Sequence, residues 1–353
     1  MINLKSAFSL FQRLHSRRPV ALSYNVTHRC NLKCLMCNIY KTKIDELSLA
    51  ELDPILRDLK TAGFEIIEIT GGEPFMRSDL FEIFALLEQR GFRYTLNTNG
   101  ILLDAHNCRK LGTFPGILQI AVSIDSLKPE VFARIRGRDK LDQVLAGLDT
   151  LLKADIGKPI KINLTVNRFN YHEVPAILEF CRKHGIYLSV FPVNLGSNFR
   201  HRGLADSLLP DKNERDQMAL LFHRLENLRK RGEILWEHSS FYRGAVDYIH
   251  ANWVGPCDAG GLFFDLHADG KIAVCNDLPP FGDLKTEKFL DCVQRLPGQR
   301  AMINHCYQNH PCYYTCTYAI SAIARHKVSY LLENARMMGL TRLFKNYAGM
   351  LRK

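Results

Sequence analysis

Between residues 21 and 193, short apolar runs alternate with amphipathic segments, and this alternation constrains the fold more than any other feature of the chain. The runs at 21–26, 64–69, 92–97, 116–124, 160–166 and 186–193 have the length and side-chain content of strands. The segments at 49–62, 80–90, 141–154 and 174–184 carry helical periodicity. Six strands separated by helices predict an α/β fold with a parallel sheet and right-handed crossovers. The expected form is a curled sheet, a partial (β/α)6 barrel, with ligands at the C-terminal ends of the strands. The residues best suited to chemistry fall there: the first cysteines, the Gly71-Gly72 turn and the Asn-rich turn ending at Gly100.

The pattern breaks near Asn194. Residues 194–210 read as a linker and 213–231 as a charged helix, and a second unit with five more cysteines starts near Gly255. The expected organisation is an N-terminal extension (1–20), the barrel (21–210), linking helices (211–254), a small α+β unit (255–320) and a C-terminal tail (321–353). Apolar content of 46% and charged content of 24% suit a soluble globular chain. The net charge of +11 suits an acidic protein, nucleic acid or anionic lipid as partner. The charges are dispersed and no nucleic-acid module is present, so nucleic acid is set aside. Eleven cysteines, with neither a secretory h-region nor a bilayer-length apolar run, predict a cytoplasmic chain whose clustered thiols serve metal or redox chemistry.

The first cluster is Cys30-Asn31-Leu32-Lys33-Cys34-Leu35-Met36-Cys37. Three thiolates within eight residues on one loop can face a single centre, and iron–sulfur clusters are held at such spacings. Three ligands on a cubane leave one iron for an outside ligand. On these residues alone a zinc site is the alternative, with His28 as the fourth ligand.

This spacing resembles the signature of the radical S-adenosylmethionine (SAM) superfamily. The resemblance continues through Thr70-Gly71-Gly72-Glu73-Pro74, Asn97-Thr98-Asn99-Gly100 and Ser123-Ile124-Asp125-Ser126, each at the end of a predicted strand, and spans roughly residues 21–195. It implies a [4Fe–4S] cluster on Cys30, Cys34 and Cys37 that passes an electron to SAM. Methionine leaves, and a 5′-deoxyadenosyl radical takes hydrogen from a substrate. It further implies that Gly71, Gly72 and Glu73, in the turn closed by Pro74, contact the methionine amine. Ser123 and Asp125 are expected at the SAM carboxylate or ribose, and Asn99, Asn167 and Val193 at the ribose and adenine. Met36 stands where the superfamily commonly has an aromatic residue against the adenine, and its thioether can cover a ring face. One of Arg134, Arg136 and Arg138 is a candidate partner for the SAM carboxylate; a solvated basic helix end is the alternative.

The second unit has Cys257, Gly260-Gly261, a strand at 262–266, a turn at Ala268-Asp269-Gly270, a strand at 271–274 and Cys275, then Cys306, Cys312 and Cys316. It resembles the auxiliary-cluster domains called twitch and SPASM. Five cysteines cannot ligate two full cubanes. One auxiliary [4Fe–4S] cluster is expected, on Cys257, Cys275, Cys316 and either Cys312 or Cys306. A zinc site and a partly vestigial domain are the alternatives. Cys108, Cys181 and Cys292 stand alone and read as buried thiols.

The tail mixes Ile323, Leu331, Leu332, Met338, Leu340, Leu343 and Phe344 with Arg325, Lys327, Arg336, Arg342, Lys345, Arg352 and Lys353. Its apolar face is expected to pack on the barrel, with peripheral contact to anionic lipid as the second reading. The expected activity is net oxidation or modification of a small molecule, such as a lipid or sugar precursor, with flavodoxin or ferredoxin as an acidic electron donor. A peptide maturase of the same superfamily and an electron-transfer protein without SAM chemistry are the competing readings.

Overall fold

The computed structural model describes residues 12–194, 206–250, 258–298, 303 and 312–339. Strands β1 (Ala21–Thr27), β2 (Ile66–Gly71), β3 (Arg93–Thr98), β4 (Ile117–Ser123), β5 (Ile160–Val166) and β6 (Tyr187–Pro192) pair in parallel in chain order. This is an α/β protein, and the order is the one a partial (β/α)6 barrel requires. Helices α1 (Leu49–Ala62), α2 (Leu80–Gln89), α3 (Ala105–Gly112), α4 (Pro129–Arg136), α5 (Leu141–Lys153) and α6 (Val174–His184) lie between the strands. The start of α1 is written locally: Ser48 accepts from the Glu51 amide while the Glu51 carboxylate accepts from the Ser48 amide at 2.9 Å. Its end is the left-handed Gly63.

Helix α3 was not expected, and α4 only as a basic helix end at residues 134–138. Each has eight residues, two turns, too short for periodicity to stand out. Their start signals are present: the Asp104 carboxylate accepts from the Asn107 amide at 2.7 Å, and Pro129 opens α4.

The core lies between the sheet and these helices, where Leu22, Tyr24, Ile67, Ile69, Leu96, Ile120, Val122, Ile162 and Leu164 are buried. The alternate positions of the same strands are largely polar.

Beyond β6 come α7 (Lys212–Lys230) and α8 (Ser239–Ile249). The hairpin of the second unit, β7 (Phe263–Leu266) and β8 (Lys271–Ala273), turns at Gly270 with φ near 91°. Its first strand pairs in parallel with β1, from Ala21 with Phe263 to Tyr24 with Leu266. With β9 (Gly282–Asp283) the result is one nine-stranded sheet in the order β6-β5-β4-β3-β2-β1-β7-β8-β9. The hairpin therefore occupies the edge that β1 would otherwise leave open. Three aromatic rings hold it: Phe64 and Phe264 have centroids 5.7 Å apart, and Phe289 of α9 (Phe289–Val293) stands 5.0 and 5.1 Å from them. Edge-to-face pairs of this kind add about 0.5–1.5 kcal/mol each beyond burial.

The chain ends, within the described residues, in α10 (Thr315–Arg325) and α11 (Lys327–Met338). Helix α11 docks differently from expectation. Leu331 and Leu332 are exposed, whereas Glu333 and Asn334 are buried against Arg229 and Ser239. An unpaired buried guanidinium costs more than an exposed leucine, so the polar partners settle which side of the helix turns in. Leu340, Leu343, Phe344, Arg342, Lys345, Arg352 and Lys353 lie outside the described residues. No helix among the described residues is long and apolar enough to cross a membrane.

Candidate active site

The cysteine loop leaves β1 and lies on the end of α4. The Lys33 amide donates to the Arg136 carbonyl at 3.1 Å and the Leu35 amide to the Ile135 carbonyl at 2.9 Å. Cys30, Cys34 and Cys37 are all half-buried on this loop. Cys34 lies in the electrostatic field of the other two thiols and of Arg136, and Cys30 in that of Cys37 and Arg136. Burial pushes the Cys30 thiol up and the Cys34 thiol up to about 12, with Arg136 opposing the shift in both. Among the described residues no three His, Cys, Asp or Glu side chains gather tightly enough to hold a single metal ion. A cubane asks less of them, because each thiolate binds its own iron.

The Gly71-Gly72 turn is set against the start of this loop. The Gly72 amide donates to the Thr27 carbonyl at 2.7 Å and the Glu73 amide to the Arg29 carbonyl at 2.8 Å. A Cβ on Gly72 would stand 2.1 Å from the Arg29 oxygen, and one on Gly71 2.5 Å from the Thr27 oxygen. Gly71 also has φ near 114°. Pro74 opens the short turn that follows and is buried.

Glu73 has no exposed surface. Its Oε1 accepts from the Thr98 hydroxyl at 2.7 Å and the Phe75 amide at 3.2 Å, and its Oε2 accepts from the Asn99 amide at 2.7 Å. Asn99 in turn donates to the Asn31 side chain of the cysteine loop at 2.6 Å. Glu73 and Asn99 thus join the ends of β2 and β3 to the loop.

Arg136 is the arginine, of the three candidates, that reaches the cysteines. Its Nη1 stands 3.8 Å from the Cys34 sulfur, and its Nε forms an ion pair with Asp125 at 2.6 Å. Asp125 is fully buried, and its other oxygen accepts from the Thr165 amide at 2.8 Å. The Arg134 guanidinium lies 3.6 Å from the Phe169 ring centroid. Asn167 closes a local turn, accepting from the Phe169 amide at 2.9 Å. Ser123 ends β4, in register with Asn163. Met36 and Val193 share a small apolar cluster with Ile135 and Leu208, and Cys34 packs against it.

Of the second cysteine set, Cys275 and Cys312 are described and half-buried. Cys257 and Cys306, and the side chain of Cys316, lie outside the described residues. Tyr314 sits in the field of both Cys312 and Asp277, two residues after Cys275. Cys108, Cys181 and Cys292 are fully buried.

Residues 24–181 match the family described as the Radical SAM superfamily. A probable GTP 3′,8-cyclase of Saccharolobus islandicus (strain M.14.25 / Kamchatka #1) is 35% identical over 306 residues, covering 81% of this chain and 94% of that protein. The chain belongs to the radical SAM superfamily. Another probable GTP 3′,8-cyclase, from Methanothermobacter thermautotrophicus, is 34% identical over 184 residues; the match spans 51% of this chain and 59% of that relative. Streptococcus suis SuiB bound to S-adenosylmethionine shares the fold, with a TM-score of 0.61 at 18% identity over 81% of this chain and 68% of SuiB. So does native anSMEcpe with bound AdoMet and Cp18Cys peptide, with a TM-score of 0.61 at 16% identity over 82% of each chain.

The cofactors of this radical SAM enzyme are a [4Fe–4S] cluster and SAM, and the residues fit them. Three thiols and one arginine stand at one loop, the Gly71-Gly72 backbone lies bare beside it, and Met36 and Val193 supply an apolar wall.

Glu73 carries a pH signature. Burial outweighs its three donors and raises its carboxyl from 4.5 to about 7. The folded chain therefore holds a proton that the unfolded chain has lost, and stability is fully present below the unfolded value and falls as pH rises through about 7. Glu73→Gln should flatten this part of the melting-temperature profile of the SAM-free protein, by on the order of 3 kcal/mol across the window. A profile identical to wild type would show that Glu73 titrates normally.

The sequence reading missed the second face of the sheet. Asp265, Ser23, Glu68, Thr95 and Gln119 are in register across β7, β1, β2, β3 and β4. Asn97 donates to Glu68 Oε1 at 2.8 Å, and Asn163 donates to Asn97 Oδ1 at 3.2 Å. Asn25 donates to Asp265 at 3.1 Å and to Asn276, beside Cys275, at 3.1 Å. Lys161 is buried on the same face, over the Trp236 ring at 5.3 Å. The signal was present in the strands. Parallel strands covered by apolar layers on both faces read as continuous apolar runs; here Ile160, Ile162 and Leu164 alternate with Lys161, Asn163 and Thr165.

Proposed function

We propose that this radical SAM enzyme acts on a small polar molecule bound against the polar sheet face, and that it carries out a net oxidation with one auxiliary iron–sulfur cluster as electron acceptor. The supporting observation is the joining of the two cysteine regions by β1 itself: its C-terminal end leads into Cys30, while its Asn25 bonds Asp265 and Asn276 of the auxiliary hairpin. The bound cluster and SAM together supply a carbon radical able to remove hydrogen from an unactivated carbon. The chain does the rest. Its Gly71-Gly72 backbone and Glu73 place the amine of SAM, with Ser123 and Asn99 near the ribose and Met36 and Val193 against the adenine. Arg136 and Asp125, already paired, keep the Cys34 side of the loop in place. Cys257, Cys275, Cys316 and either Cys312 or Cys306 would hold the auxiliary cluster. The positive surface suits a flavodoxin or ferredoxin as electron donor.

A second reading is ring closure on a purine nucleotide. It is favoured by the name of the Saccharolobus islandicus relative, a probable GTP 3′,8-cyclase of which 94% is matched.

One anaerobic reconstitution addresses the proposal. The wild type should bind about eight irons and a Cys30, Cys34, Cys37→Ala triple variant about four, by ligand arithmetic. The product should be two hydrogens lighter than the substrate. About four irons in the wild type and none in the triple variant would rule out the auxiliary cluster, and a product of unchanged mass would exclude net oxidation.

A further inference from the structure

The polar sheet face holds groups that the folded chain leaves without partners. Gln119 Oε1 and Asn163 Oδ1 are buried and accept no hydrogen bond. Gln119 as a whole is 8% exposed and Lys161 7%. Lys161 lies in the field of Glu68 and Glu237, and Glu68 in that of Lys161 and Asp265. Glu237 is itself anchored by Ser189 and by the Tyr242 hydroxyl at 3.0 Å. Arg93, at the start of β3, is turned to the Pro115 carbonyl at 3.5 Å.

Burying an unpartnered amide or ammonium costs roughly 1–3 kcal/mol or more, so a fold keeps one where a ligand will pair with it. The groups left open here are two acceptors on β4 and β5 and a donor at Lys161. A hydroxyl serves both kinds, since it donates and accepts. Charge narrows the ligand further. Three carboxylates, Glu68, Asp265 and Glu237, stand against the Lys161 ammonium and the His267 imidazole, which lies 3.3 Å from Asp265, so the face keeps an acidic excess. A polyphosphate brought here would meet like charge at short range, whereas an uncharged polyol would not, and an amine would gain.

We infer that the polar face around Glu68, Asn97, Gln119, Lys161 and Asn163 is a binding site for a compact polyhydroxylated molecule, neutral or amine-bearing as an amino sugar is, and not for a nucleoside triphosphate. This deepens the small-molecule reading above and rests on it. Lys161 and the two open amides hold hydroxyls, and Glu68 and Asp265 set the charge preference.

The test is binding by calorimetry to reconstituted holoenzyme with SAM present, using glucosamine and GTP as probes. Glucosamine should bind more tightly than GTP by at least about tenfold. Gln119→Leu, Asn163→Leu and Lys161→Met should each weaken glucosamine by about three- to tenfold, the worth of one hydrogen bond or more. Gln119→Leu removes an unpartnered buried acceptor, so its melting temperature should equal or exceed wild type, which separates lost binding from lost folding. Glu68→Gln should narrow the gap between the probes by strengthening GTP. Tighter binding of GTP, no binding of glucosamine, or unchanged affinity in all three amide and lysine variants overturns the inference. SAM cleavage on the same samples reads the enzyme assignment independently: its loss with glucosamine binding intact counts against that assignment alone.

Discussion

Replacing Cys34 by alanine should reduce the formation of 5′-deoxyadenosine and methionine from SAM to background. The reason is the position of Cys34 more than its presence in a motif. It sits between the other two thiols on a loop pinned to α4, with its sulfur 3.8 Å from Arg136 Nη1. Cys108, Cys181 and Cys292 are fully buried in the core, so none of the three offers a sulfur to replace it. The loop itself should survive the change, because it is held by backbone bonds from Lys33 and Leu35 that do not involve the thiol. Circular dichroism and melting temperature are therefore expected to stay close to wild type while cleavage vanishes. Cleavage that persists in a Cys34→Ala protein would remove the first cluster from the mechanism.

Arg229→Ala should be the most destabilising single change outside the core, by about 3–5 kcal/mol, the usual cost of breaking a buried charged pair by removing one side. Arg229 has no exposed surface. Its guanidinium donates to the Glu237 carbonyl at 2.9 Å, to the Glu333 carbonyl at 2.9 Å and to the Asn334 side chain. Glu333 is also held by the Ser239 amide at 3.0 Å and by His238 at 3.3 Å. Without the arginine, two carbonyls and an amide oxygen lose their donor in a site water does not reach, and α11 loses its principal anchor to α7. Thermal unfolding and proteolysis in the α10–α11 segment should both report the change. A loss below about 1 kcal/mol would mean that α11 is held by something other than Arg229.

The parallel order of β1 to β6 was legible because strand and helix periods alternate over enough residues to stand out, and each crossover then has one favoured hand. The candidate site motifs stood out for a different reason: Cys30, Cys34 and Cys37 are marked by local spacing, and Gly71 with Gly72 by the close backbone approach that the fold shows there. What Glu73, Asp125 and Arg136 touch was not legible. Arg136 was one of three arginines in five residues, and its choice of Cys34 and Asp125 depends on the end of α4 meeting the cysteine loop, a contact between segments a hundred residues apart. The edge pairing of β7 with β1 was hidden likewise, since a four-residue strand carries no record of its neighbour. The polar face lies between these cases. Its alternation was written in the strands, but only the register that aligns Asp265, Ser23, Glu68, Thr95 and Gln119 turns separate polar residues into one surface. Sequence alone determined the six parallel strands and their order and the first cysteine motif, because those depend on neighbours along the chain. Which charges face one another, and which end up buried without partners, was decided by tertiary structure, because burial and register depend on segments that meet only in the folded protein.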